Sequence, residues 1–144
     1  WAAVFPGQPE TAAKFASFDA MVDHWGDGVY GEIFMAAAES IAFKGTPPAE
    51  ALNKALKYLP ESSRCRKYIE EVFAAYESGK YTAEEAIVWV SDHFRHANFT
   101  DCAMNLAVIT AAVLWGNGDF ISTVLFANAI TYFNFVYFSF YFIF

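Results

Sequence analysis

A chain of 144 residues is the size of one ordinary domain, able to bury roughly two thirds of the surface its unfolded form exposes. Nine Lys and Arg against sixteen Asp and Glu give a formal charge of -7 with no basic patch to offset it, which argues against nonspecific nucleic-acid binding. Cys65 and Cys102 fit neither a disulfide framework nor zinc-finger spacing, so reduced thiols and a cytoplasmic location are expected.

The chain opens at Trp1 without a basic-then-apolar leader, and a start within a longer protein is the expectation. Pro9, Glu10 and Thr11 supply a first-turn proline and acid. Ala12, Phe15, Phe18 and Val22 then recur at helical spacing until Gly26 and Gly28, which predicts a first amphipathic helix with those residues on its buried face. From Val29, Ile33, Ala36, Ala37, Ser40 and Ile41 make a small or apolar face, predicting a buried helix that stops near Gly45. Thr46 is a candidate N-cap for a third helix, with a stripe of Leu52, Ala55, Leu56 and Leu59. A fourth carries Tyr68, Ile69, Val72, Phe73 and Tyr76 on one side and closes at Gly79. Thr82 with Glu85 three residues on is a capping box for a fifth. The segment from Asp101 to Leu114 is apolar nearly all round, predicting a buried sixth helix that stops at Gly116, Asn117 and Gly118, and a seventh starts near Asp119. No period-two alternation precedes Thr131, so the fold class is all-α.

Three clusters could carry chemistry. Asp19, Asp23, His24, Asp27, Tyr30 and Glu32 gather around glycines at a helix end. Asp19 and Asp23 share a helix face and could offer oxygens to a divalent cation, while Gly26 and Gly28 could bring backbone amides to a phosphate. A solvated helix terminus is the simpler reading of the same residues. His93 and His96 stand near Asp92 and Asp101, but without the further ligands of a zinc motif they read as a surface turn. The pairs Glu70 with Glu71 and Glu84 with Glu85 read as solvated faces.

Pro6, Gly7, Pro9 and Glu10, then Asp19, Ala20 and His24, then Gly26, Gly28, Tyr30 and Gly31, and finally Asn105 with the turn of Gly116, Gly118, Asp119 and Phe120, taken in order, resemble the ADP-ribosylglycohydrolase family. The correspondence runs from about Phe5 to about Ile130. The resemblance implies a compact orthogonal helical bundle and hydrolysis, with paired magnesium ions, of the bond joining ADP-ribose to a protein or small molecule. It places His24, Gly28, Tyr30, Gly31 and Asn105 as substrate-binding residues, while Asp23 stands where many relatives have Ser or Thr. The family's metal ligands come mainly from a Thr-Asp-Asp stretch near the N-terminus and an Asp-Thr-Asp stretch shortly after the Gly-Asp-Phe turn. The first would lie upstream of Trp1. The second would fall at Tyr132, Phe133, Asn134 and Phe135, whose side chains cannot replace carboxylates on magnesium. No catalytic residue or metal ligand is therefore assigned, and this chain alone is expected to bind no magnesium and to lack the family's hydrolytic activity.

From Ile121 to Phe144 there are twenty-four residues without charge, enough to span a bilayer. Spanning helices concentrate aromatics at the interfaces, whereas here they run through the whole second half. The expected organisation is a family-like helical region over 1–130 and an aromatic tail over 131–144 that does not belong to it, the true reading being lost after Ile130. Two alternatives are a noncatalytic ADP-ribose-binding remnant and a helical protein anchored in a membrane through 121–144.

Overall fold

Residues 1–130, which the computed structural model describes, form seven α-helices and one 3₁₀ turn without a strand. The aromatic segment 131–144, with the positions expected for the second acidic motif, lies outside the described residues. No helix among the described residues is long and apolar enough to cross a membrane. The helices divide between two units, Trp1 to Arg66 and Lys67 onward.

The first unit holds α1 (Pro9–Ala20), α2 (Asp27–Ala42), α3 (Pro48–Ala55), the 3₁₀ turn Leu56–Tyr58 and the first residues of α4 (Arg64–Glu77). α1 packs on α2, and α2 on α3. Of the expected face α1 buries only Ala12: Ala13, Ala16 and Ala20 are inside with it, whereas Phe18 is 53% exposed and Val22, beyond the helix end, is 82% exposed. Small residues let the two helix axes approach closely, and Ala12 and Ala16 meet Ala36 where α1 contacts α2. Phe34, fully buried on α2, contributes roughly 2 to 3 kcal/mol by leaving water.

Ser40 has a further task beyond being small. Its hydroxyl donates to Phe5 O at 2.6 Å and accepts from Gln8 N at 3.0 Å, while Gly7 N donates to Ser40 O at 2.8 Å, so the N-terminal segment is tied to α2. Thr46 is not the cap of α3. Pro48 occupies a first-turn position and forces its predecessor to be extended, so Pro47 takes the N-cap place at ψ 142°.

The second unit holds the rest of α4 with α5 (Ala83–His93), α6 (Cys102–Trp115) and α7 (Phe120–Ala129). The capping box forms: Thr82 Oγ1 accepts from Glu85 N and Glu85 Oε2 accepts from Thr82 N at 2.9 Å. Asp101 caps α6 by accepting from Met104 N, and Asp119 caps α7 by accepting from Ser122 N. α6 is buried from Ala103 to Leu114 apart from Asn105, and its one internal hydroxyl, Thr110, donates to Leu106 O at 2.8 Å. Gly116 lets α7 approach, since a Cβ there would collide with Thr123.

Candidate functional site

The first unit brings His24, Gly28, Tyr30 and Gly31 together at the junction of α1 and α2. α1 ends at Ala20, and the backbone turns through Met21, Val22 and Asp23, with His24 N donating to Ala20 O at 2.9 Å. That turn changes the geometry of the acidic cluster. Helical spacing would set Asp19 beside Asp23 and His24 a quarter-turn away. Asp23 has instead left the helix and receives His24 Nδ1 at 2.5 Å, while Asp19 Oδ2 accepts from Trp1 Nε1 at 3.1 Å. Asp27 is engaged as well, by Arg64.

Gly28 has a different use from the one expected. Its amide donates to Trp25 O at 3.3 Å and so is not held open for an anion. What matters is the missing side chain, because a Cβ at Gly28 would stand 2.9 Å from Cδ2 of His24 and 3.1 Å from its Cβ. His24 is thus seated over the first turn of α2, and Asp23 holds one of its ring nitrogens. Tyr30 and Gly31 follow on α2, Tyr30 half-buried and Gly31 buried, with Tyr30 N donating to Gly26 O.

The local field is negative. Partial burial and then the charge of Asp19 raise the Glu32 carboxyl above its ordinary value, His24 pulls the other way, and Asp23 adds least. Trp25, which the motif reading passed over, is 86% exposed between His24 and Gly26.

Asn105 belongs to the second unit, on α6. Its Nδ2 donates to Phe99 O at 3.4 Å, and its Oδ1 is buried with no hydrogen-bond partner among the described residues. A buried acceptor left unpaired is costly, so this atom is suited to an N–H or O–H donor from a ligand or water.

His93 and His96 do not converge. His93 Nε2 meets Glu71 Oε2 at 2.9 Å, and His96 Nδ1 accepts from Asn98 N at 3.1 Å. Glu71, expected on a solvated face, is therefore an anchor between α4 and α5, with Lys67 3.9 Å away. Among the described residues no group of three His, Cys, Asp or Glu is placed to hold a metal ion. Asp19, Asp23 and Asp27 are engaged by Trp1, His24 and Arg64, and with no group of three ligands the described residues do not fit a magnesium centre.

Among family models, the one described as ADP-ribosylglycohydrolase matches residues 1–132. Comparison with curated proteins and with solved structures gives no match.

Proposed function

The chain belongs to the ADP-ribosylglycohydrolase family, and on that premise we propose that the His24 turn recognises the ribose end of an ADP-ribosyl group. The observation that carries this reading is the seating of His24 against Gly28, with Nδ1 taken by Asp23. With one ring nitrogen held, the other is the atom left to meet a ligand hydroxyl, and the carboxylate fixes the ring's orientation. The negative surroundings of Glu32 suit hydroxyl donors and disfavour a pyrophosphate at the same spot.

The family's activity is hydrolysis, and magnesium in an intact relative would supply the charge that orients a water. The residues described here do not provide that centre, so no hydrolytic step is assigned to them. The reading is recognition of ADP-ribose without metal, with no hydrolysis by this chain alone. Titration calorimetry with ADP-ribose in the presence of a chelator tests it, and absence of binding would refute it.

A further inference from the structure

α2 starts without help from its own cap. Its N-cap residue is Gly26, at φ +56°, which has no side chain to accept from the first-turn amides. A glycine N-cap costs a helix little, but it supplies no side-chain contact that fixes the turn. Asp27, the first residue of α2, is gripped instead from the start of α4. Arg64 Nε donates to Asp27 Oδ2 at 2.9 Å, and the buried Cys65 Sγ donates to Asp27 O at 3.6 Å. Arg64 is the first residue of α4, where a cation opposes the helix dipole. Stability of α4 therefore does not explain an arginine there, whereas the Asp27 contact does. The next residue after Asp27 is Gly28, over which His24 sits, so the contacts run from Arg64 to Asp27, Gly28 and His24.

We propose that Arg64 is a positioning residue for ADP-ribose recognition, holding Asp27 so that the Gly26 to Gly28 turn keeps His24 in place. This rests on the reading that His24 faces ADP-ribose, but Arg64 itself need not touch the ligand.

The test uses the whole chain as wild type, Arg64→Ala, Arg64→Lys, Asp27→Asn and Arg66→Ala. Each is titrated with ADP-ribose by calorimetry, and the His24 ring resonances are followed by NMR before ligand is added. If loss of the tether leaves about a tenth of the molecules with the turn in place, Arg64→Ala and Asp27→Asn weaken binding about tenfold. The same two variants displace the His24 resonances, and Arg64→Lys recovers most of the affinity. Arg66→Ala is the control, because Arg66 contacts Leu59 O at 3.4 Å from the same helical turn. It is expected to change neither readout. Unshifted His24 resonances in Arg64→Ala, or an equal effect from Arg66→Ala, overturns the assignment. A wild type that fails to bind ADP-ribose refutes the functional reading, while the unliganded spectra still decide whether Arg64 holds His24.

Discussion

The ring of His24 occupies the space that a side chain at Gly28 would need, with Cδ2 only 2.9 Å from where a methyl carbon would stand. Gly28→Ala should therefore move His24 while leaving α2 helical, since alanine is favoured over glycine within a helix by about 1 kcal/mol. The expected outcome is ADP-ribose binding weakened at least about tenfold with a melting temperature within a few degrees of wild type. Calorimetry beside a thermal melt checks this, and unchanged affinity would show that His24 is not placed by Gly28.

A second glycine separates packing from recognition. A Cβ at Gly116 would stand 2.6 Å from Ala112 O and 2.8 Å from Thr123 Cα, both backbone atoms that cannot swing aside. Gly116→Ala should destabilise the protein by about 2 kcal/mol through overpacking where α6 meets α7. Urea denaturation measures it, and a midpoint equal to wild type would contradict the close contact.

Glu10 and Glu39 should give stability opposite pH dependences. The Tyr58 hydroxyl, 2.6 Å from Glu10 Oε1, leads the contacts that lower the Glu10 carboxyl from 4.5 to about 2, with its own backbone and Lys57 adding to the effect. Its folded pKa is below the unfolded one, so its contribution is present above about 4.5 and is lost as pH falls towards about 2. Burial pushes the Glu39 carboxyl from 4.5 up to about 7, against a pull from the Trp1 amino group, so its contribution is present below about 4.5 and is lost as pH rises through about 7. Relative to wild type, Glu10→Gln should lose stability at pH 6 but not at pH 2. Glu39→Gln should gain about 1 to 2 kcal/mol at pH 8 and little at pH 4. Denaturation midpoints across this range check both signs.

Much of this was legible in the sequence where a local signal decided the structure. The Thr82 and Glu85 box, the stop at Gly79 and the start of α7 after Asp119 all depend on neighbours in the chain. The buried face of α1 was not legible, because large apolar residues at helical spacing outweigh alanines in any pattern count, whereas close approach to α2 favours the alanines. At the candidate site, His24 and Gly28 stood out by type, but their relation depends on a turn that takes Asp23 off the helix. Arg64 carried no local signal, because its partner Asp27 lies 37 residues earlier.

With magnesium present, the chain alone should release no ADP-ribose above background from an ADP-ribosylated protein. Asp19, Asp23 and Asp27 are already engaged, the described residues hold no group of three metal ligands, and no Asp or Glu follows Asp119 in the sequence. Product analysis with and without magnesium checks this, and magnesium-dependent release would show that the chain assembles a metal centre.

The most direct measurement is the titration of ADP-ribose into the chain with chelator present, repeated on His24→Ala. Saturable binding to the wild type that His24→Ala weakens by about tenfold or more is the predicted result. No binding to the wild type, or equal binding to both proteins, would contradict recognition of ADP-ribose by the His24 turn.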